Sequence, residues 1–354
     1  MSTLLLNLLL ACTHFFLARV LRARTARAYT AISLPVLGCV AAFAASLFAL
    51  LPSQGGFGFF RLMAWAIFLH GPIALCLAAR RFGRESRVGF YASLTAAGLI
   101  LAVAFDAFLI EPKWIEVNRL TIESAKVSKP IRLVLVSDIQ TDKVGEYEQR
   151  CLSLAMEQKP DAIFFSGDYI QLPAREIRPE QEALARVFEE VGLAAPLGIY
   201  AVQGNTDNVG WERVFGRVDA NLFIKRGVVQ SGELQVTGLT MKQSFNVRTK
   251  VRESSKFHIV LGHAPDFALN EIEADLLLAG HCHGGQVQLP FVGPLITLSQ
   301  VPRAWAAGMT ELDEDTTLVV SRGVGMERNA APRMRFLCRP EVVVIDVIPT
   351  LATR

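Results

Sequence analysis

The sequence predicts an α/β domain that follows four membrane-spanning helices. Apolar residues make up 51% of the 354 positions, and their excess lies almost wholly before residue 111. From about residue 113 onward, short β-branched runs alternate with helical stretches, which is typical of an α/β sandwich. We therefore divide the chain into an anchor of residues 1–112 and a domain of residues 113–354.

The anchor is predicted from four apolar stretches, at residues 4–21, 31–51, 59–79 and 88–110. Each approaches or exceeds the roughly 20 residues that a helix needs to cross a bilayer. None shows the polar stripe of a core helix in a soluble fold, which is the weaker alternative. Because no basic residue precedes the first stretch, we interpret it as a retained helix and not as a signal peptide.

The connections between these stretches predict an orientation. The first and third connections are rich in arginine: Arg19, Arg22, Arg24 and Arg27, then Arg80, Arg81, Arg84 and Arg87. The second, at residues 52–56, has no charge. By the positive-inside rule the basic connections face the cytoplasm. The sequence thus predicts an integral protein of a bacterial inner membrane, with its domain on the extracytoplasmic, periplasmic side.

His70 lies deep in the third stretch, beside Gly71 and Pro72. It indicates either a functional pocket or a hydrogen-bonded histidine in a kinked helix, and the second interpretation is favoured.

Net charge and cysteine content narrow the function classes. A net charge of +3 gives no reason to expect nucleic acid, because the basic residues cluster beside apolar stretches. The six cysteines have no paired spacing, so neither a disulfide framework nor a structural zinc site is predicted. The expected partners are the lipid bilayer and a substrate, and the oligomeric state is not indicated.

In the domain, seven strands and two helices are predicted. The strands are at residues 131–137, 161–166, 198–203, 257–261, 275–279, 317–321 and 341–347, and the helices at 146–158 and 178–192. Five strand ends carry a side chain that can bind a metal: Asp138, Asp168, Asn205, His263 and His281. Ligand sites in α/β sheets form beyond the carboxyl ends of strands, so these side chains are expected to converge.

Two further candidates, Gln140 and His283, stand two residues after Asp138 and His281, on the same side of an extended chain. Oxygen donors mixed with imidazoles suit Mn²⁺, Fe or Zn²⁺ better than a thiolate site would. Two such ions can hold a bridging hydroxide and polarise a phosphoryl group. The residues alone therefore predict a metal-dependent site.

The ordered motifs D-x-Q, G-D, G-N-x-D, G-H and G-H-C-H-G-G-Q resemble the calcineurin-like metallophosphoesterase family. They are most similar to its bacterial membrane-anchored branch with G-H-x-H-G-G-Q and a C-terminal S-R-G-x-G loop, here residues 321–325. The resemblance covers residues 131–347. It implies a four-layer αββα sandwich and a metal-dependent phosphodiesterase or phosphomonoesterase.

Carried over by position, the resemblance implies roles for seven residues. Asp138 and His283 would bind the first metal, with Gln140 as a weaker ligand. Asp168 would bridge both metals. Asn205, His263 and His281 would complete the second site. Asp168, Asn205 and His283 are the residues that we expect to matter most for catalysis.

Two positions depart from the family pattern. Gln140 stands where the family usually has histidine, so weaker occupancy of the first site is expected, with a shift toward oxygen-preferring metals such as Mn²⁺. Thr206 stands where the family often has a histidine that acts on the leaving group, and losing a general acid typically costs roughly 10²–10⁴-fold in rate. The alternative function is therefore a catalytically weakened domain that binds metal or phosphate and acts as a membrane sensor. A transporter with a metal-binding accessory domain is a weaker third interpretation.

Several residues also have structural interpretations. Asp138 and Asp168 could be turn caps, and His263 a buried structural histidine. Gln140 could equally be a metal ligand or a residue that hydrogen-bonds to a ligand. Arg322 could equally bind a substrate phosphate or make a structural contact within its loop. The remaining candidates are expected to be structural: Asp142, Asp207, His258, Asp266 and Cys282.

An anchored hydrolase has lipid substrates at high local concentration, so a lipid or cell-envelope phosphoester is the expected substrate.

Overall fold

The computed structural model describes residues 2–20, 57–83 and 86–350. The chain divides into two compact units. The first comprises Met1–Leu109 with Asn329–Arg333, and the second comprises Ile110–Arg328 with Met334–Arg354.

The described part of the first unit, up to residue 109, is mainly helical. Its α-helices are α1 (Ser2–Val20), α2 (Gly71–Phe82) and α3 (Arg87–Phe105), with π-helical turns at Ala66–His70 and Asp106–Ile110. By length and composition, two continuous helices in the described residues could cross a membrane: Phe57–Arg80 and Arg87–Lys113. Only 28% of the first and 17% of the second is buried. Both are thus more exposed than core helices of a soluble protein.

The four predicted spans have different outcomes. Helix α1 forms at the first, and the two candidate membrane helices form at the third and fourth. The second, at residues 31–51, lies outside the described residues. His70 ends the π-helical turn, and its ring nitrogens lie 2.8 Å from His14 Nε2 and 2.9 Å from Asn7 Oδ1. The histidine is therefore hydrogen-bonded within an irregular helix.

The second unit contains two six-stranded sheets and a separate two-stranded hairpin. The strands are β1 (Glu116–Ser124), β2 (Ile131–Val136), β3 (Ala162–Phe165), β4 (Ile199–Ala201), β5 (Asn221–Leu222), β6 (Gly227–Ser231), β7 (Leu234–Gly238), β8 (Phe257–Leu261), β9 (Leu276–Ala279), β10 (Gln288–Leu289), β11 (Gly293–Pro294), β12 (Gly308–Glu311), β13 (Thr317–Val320) and β14 (Glu341–Pro349). One sheet has the order β1-β14-β2-β3-β4-β5 and the other β12-β13-β9-β8-β7-β6.

Both sheets are mixed. Strands β2, β3, β4 and β5 run parallel, as do β7, β8, β9 and β13. The antiparallel pairs are β14 with β2, β12 with β13, and β6 with β7. The central strands are buried on both faces, which explains their continuous apolar sequences.

Alternate side chains of each strand build different cores. Leu133 and Phe164 of one sheet pack with Ile259 and Leu278 of the other, so the two sheets lie face to face. The opposite face of the first sheet packs on α4 (Glu146–Glu157) and α5 (Ile177–Glu190). The second sheet is covered by shorter pieces, including a 3₁₀ turn at Pro265–Leu269. Its outer layer is therefore thinner than the fourth helical layer that the family resemblance implies.

All seven predicted strands and both predicted helices of this unit are present, with ends shifted by at most three residues. Several strands were not predicted, among them β1, β6, β7 and β12. Each of them contains polar or charged residues, and all four lie at or near sheet edges. Edge strands lack the continuous apolar signal of buried ones, and this is why the sequence pattern missed them.

Candidate metal centre

The candidate ligands lie where both sheets present the carboxyl ends of their parallel strands. Asp138 follows β2, Asp168 follows β3, and Asn205 follows β4 in the first sheet. In the second sheet, His263 follows β8 and His281 follows β9. Because each set comes from neighbouring parallel strands, the ligands meet at one edge of the sandwich, as the strand-end argument predicts.

The centre of the site is a buried group formed by Asp138, Asp168 and His263, whose ligand atoms all lie within 4.8 Å of one another. Nε2 of His263 is 3.6 Å from Oδ2 of Asp168. Nε2 of His283 is 3.7 Å from Oδ1 of Asp138. All four residues are buried. Buried carboxylates and imidazoles this close together fit the donor set of a divalent cation.

The arrangement around His263 fits a cation particularly well. Its Nδ1 donates to the carbonyl of Ser166 at 2.7 Å, and burial lowers the pKa of the imidazole to about 4. Nε2 therefore carries a lone pair, and it lies 2.8 Å from the Oδ1 lone pairs of Asn205. Two acceptors that face each other are unfavourable unless a cation lies between them or near them.

His281 completes this side of the site. Its ring lies 5.0 Å from that of His263, centroid to centroid, and its Nε2 donates to the carbonyl of Leu298 at 3.1 Å. Nδ1 of His281 is therefore the atom left for a ligand. The backbone N–H of His281 also donates to both carboxylate oxygens of Asp138, at 3.2 and 3.0 Å.

Gln140 uses only part of its carboxamide in hydrogen bonds. Its Nε2 donates to Gln171 Oε1 at 3.1 Å and to Glu327 Oε2 at 3.0 Å. Its Oε1 is buried without a hydrogen-bond partner, and Nδ1 of His283 is in the same condition. An unpartnered buried acceptor is costly, so Oε1 of Gln140 fits a site built around a cation.

The backbone at the site is unusual. Five candidate ligands have positive φ angles: Asp138, Gln140, Asp168, His281 and His283. Non-glycine residues adopt this region at a cost of roughly 1–3 kcal/mol each, and such residues cluster at functional sites. A left-handed residue after a strand turns the chain sharply and directs its side chain into the space beyond the strand end.

Two glycines allow the close approach of these turns. A Cβ on Gly280 would overlap Ser137 Oγ and Asp138 Oδ2, and one on Gly204 would overlap Asp168 Oδ1. Any larger residue would therefore displace a candidate ligand.

Burial dominates the electrostatics of the site. It raises the pKa of Asp138 well above its usual value, with a further contribution from the nearby Asp168. It also raises the pKa of Asp168 to about 6. Burial lowers the pKa of His281 to about 4 and that of His283 well below its usual value. The histidines are thus neutral donors, and a divalent cation would favour the charged carboxylates.

Asp207 stabilises the backbone of the loops that carry the candidate ligands. Its carboxylate accepts the backbone N–H groups of Asp168, Tyr169 and Gly204, each at 2.8 Å. Burial and the neighbouring Asp168 raise its pKa to about 7. The sequence indicated a turn role for Asp207, and the structure places it in one that links the loops after β3 and β4.

Arg335 was missed by the sequence analysis. Its fully buried guanidinium donates to the carbonyls of Arg322, Gly323 and Cys338 at 2.8–3.1 Å. It thereby holds the S-R-G-x-G loop. Arg322 pairs with Glu341 at 2.6 Å and with Glu116 at 2.8 Å. The structure therefore uses Arg322 as a loop contact. Glu327 and Gln171, which hold Gln140, were also missed, because no motif marks them.

The sequence was compared with known proteins, and no family model matches it. An uncharacterised metallophosphoesterase, YkuE of Bacillus subtilis, is 29% identical over 75% of this chain and 98% of its own length. The phosphodiesterase YaeI of Escherichia coli is 26% identical over 67% of this chain and 90% of its own length. An uncharacterised metallophosphoesterase of Aquifex aeolicus is 27% identical over 70% of this chain and 98% of its own length.

These relatives decide the reaction class. The chain is a metal-dependent phosphoesterase. The mixed α/β architecture and the buried Asp138–Asp168–His263 group fit this phosphoesterase, and the homologues imply divalent metal ions.

Proposed function

We propose that this phosphoesterase is anchored in a membrane, binds two divalent ions and hydrolyses a phosphomonoester or phosphodiester. The observation that carries the proposal is the convergence of Asp138, Asp168 and His263 within 4.8 Å at the edge where both sheets present strand ends. Asp168 is central to the proposal because its carboxylate belongs to this group and lies 3.6 Å from Nε2 of His263.

The residues divide between two ions. Asp138, Gln140 and His283 would bind the first, Asp168 would be shared, and Asn205, His263 and His281 would bind the second. The 3.7 Å approach of His283 to Asp138 and the 2.8 Å approach of His263 to Asn205 support this division. The mixture of neutral amide oxygens, carboxylates and imidazoles favours Mn²⁺, with Fe and Zn²⁺ as alternatives.

When bound, the ions supply Lewis-acid polarisation of the phosphoryl group and an activated water. The protein contributes the geometry. Asp207 fixes the loop that presents Asp168, and the N–H of Thr206 donates to Asp168 Oδ1 at 2.8 Å. The hydroxyl of Thr206 is a poor proton donor to a leaving group, so esters with good leaving groups should be the best substrates.

The anchor consists of the predicted spans, two of which form helices of membrane length. Their exposed apolar side chains support this, for example those of Leu99, Leu101 and Phe105. By the positive-inside rule, the arginine-rich connections support a catalytic domain on the periplasmic side of the inner membrane. A reporter enzyme fused after residue 115 that was active only in the cytoplasm would contradict this orientation.

Activity tests the proposal most simply. The full chain in detergent, supplied with Mn²⁺, should hydrolyse bis(p-nitrophenyl) phosphate, and Asp168→Asn should abolish turnover. Asp219→Asn makes the same chemical change at an exposed position and should leave turnover unchanged. Metal binding without turnover on any phosphoester would instead favour the sensor function.

A further inference from the structure

The hairpin formed by β10 and β11 exposes an unusual amount of apolar surface. Five large apolar side chains on or beside it are exposed: Leu289, Phe291, Val292, Leu295 and Leu298. Residues 284–302 contain no acidic, basic or histidine side chain. Exposed apolar patches of this kind mark sites that bind another protein or a membrane.

The tip of the hairpin is its most exposed part. Phe291 is 109% exposed, so its ring contacts essentially nothing in the chain. Its φ of 65° is a conformation that bulky residues rarely adopt. The N–H of Val292 donates to the carbonyl of Leu289 at 3.1 Å, which closes the turn. The turn therefore presents an aromatic ring outward at a conformational cost.

The hairpin is also attached to the candidate metal centre. The carbonyl of Leu298 accepts a hydrogen bond from Nε2 of His281. A Cβ on Gly285 would overlap Pro294 of β11, so the strand after the tip packs on the loop that carries His283. Any surface that receives the hairpin therefore lies close to the reacting phosphate.

A chain of hydrogen bonds in the same unit joins the hairpin to the end of a membrane-length helix. The helix Arg87–Lys113 ends in a 3₁₀ turn at Glu111–Lys113. The Glu111 carboxylate accepts the backbone N–H groups of Leu337, at 2.9 Å, and Cys338. The preceding residue, Phe336, accepts from the N–H of Gln288 at 2.9 Å. The base of the hairpin thus lies beside the point where the apolar helix ends.

The side chains around this point resemble those found at a bilayer surface. Trp114 and Leu337 are exposed, and the Arg339 guanidinium lies 3.8 Å from the Trp114 ring centroid. Tryptophan and arginine are enriched where a membrane helix leaves the hydrocarbon. An uncharged hairpin tip beside them fits the same surface, because it carries no group that is costly to bury near lipid.

We infer that the β10–β11 hairpin inserts its tip into the headgroup region of a lipid bilayer, with Phe291 as the leading side chain. This holds the metal centre at the membrane surface and selects phosphoesters whose acyl chains stay in the bilayer. The inference rests on the proposed membrane anchor and extends the proposed function from a reaction to a substrate class.

Fluorescence of an added tryptophan tests the insertion. The Phe291→Trp variant of the full chain is reconstituted in phosphatidylcholine–phosphatidylglycerol vesicles, and the emission of the wild-type chain, which has four tryptophans, is subtracted. Brominated acyl chains should remove roughly half of the added emission, because an interfacial side chain reaches the headgroup–acyl boundary. Val228→Trp, at an exposed position on β6, is the matched control and should be quenched by aqueous acrylamide instead.

Equal acrylamide quenching of both added tryptophans, without quenching by brominated lipid, would overturn the inference. Carbonate extraction of the same vesicles reports separately on the anchor, since a chain that extracts is not anchored. Hydrolysis of a soluble diester reports on the chemistry. Failure of the hairpin inference is therefore distinguishable from failure of the proposed function.

Discussion

Asp168 and His263 follow strands of different sheets, yet Oδ2 of Asp168 and Nε2 of His263 are only 3.6 Å apart. The contact crosses the sandwich at the edge where both sheets end. It explains why the site needs the whole fold, because neither sheet alone supplies a complete set of ligands.

Removing the charge of Asp168 should therefore affect both ions. We expect Asp168→Asn to lower the bound metal by at least one ion per chain, because the shared carboxylate is replaced by a neutral amide. Metal analysis of the purified full chain measures this, with Asp219→Asn as the exposed control. Unchanged metal content would exclude Asp168 as a shared ligand.

Gln140 offers a change that should strengthen the site. Gln140→His replaces an amide oxygen with an imidazole, which is the stronger donor to Mn²⁺, so the affinity for the first ion should rise. Titration with Mn²⁺ by calorimetry measures the affinity directly. An unchanged affinity would mean that Gln140 only hydrogen-bonds to Gln171 and Glu327.

Metal affinity should depend on pH with a defined sign. The pKa of Asp168 is raised to about 6, so below pH 6 this carboxyl must lose a proton before it binds a cation. His263, with its pKa lowered to about 4, is neutral throughout this range. Each carboxyl that must lose a proton lowers the Mn²⁺ affinity by up to about tenfold per pH unit, so the affinity should fall steadily as the pH decreases below 6. An affinity that rises on acidification would contradict these assignments.

Asp207 should matter for stability. Asp207→Asn offers one acceptor oxygen and an NH₂ group to three backbone N–H donors, so at least one donor loses its partner. The expected cost is about 1–3 kcal/mol. For a unit of this size that lowers Tm by roughly 2–10 °C, which a thermal shift assay of the metal-free chain resolves. An unchanged Tm would show that these three hydrogen bonds contribute little.

Two glycines allow a matched packing test. Gly280→Ala places a Cβ against Ser137 and Asp138, so the variant should lose metal or fail to fold. Gly145→Ala places its Cβ in open space and should behave as the wild-type chain does. Size-exclusion chromatography with metal analysis compares the two. Normal folding and metal content in Gly280→Ala would show that the loop after β9 approaches Asp138 less closely than described here.

The sequence predicted the buried strands and their ends because those features are local. Strand β2 is a continuous apolar run that stops at Asp138, and β8 stops just before Gly262 and His263. Strand β1 has no such signal, because polar and charged residues interrupt its apolar ones. Its partner β14 lies more than two hundred residues later in the chain. Long-range pairing of this kind is set by tertiary packing.

The same reasoning applies to the site. The candidate ligands follow strands or glycines and could be found by position. Arg335 and Glu327 lie in loops whose sequences have no periodic pattern. The contact of Arg335 with the Arg322 loop and that of Glu327 with Gln140 could therefore be found only in the structure. The exposure of Phe291 was likewise invisible, because an uncharged stretch in sequence is as compatible with a core as with a surface.

The most direct test of the central claim is the number of ions that the site holds. The full chain, loaded with Mn²⁺ and freed of excess metal, should contain two ions by inductively coupled plasma mass spectrometry, and replacing His283 with alanine should remove the first ion while the second remains. A wild-type chain that retains one ion or none, or a His283→Ala variant that still holds both, would contradict the proposed centre.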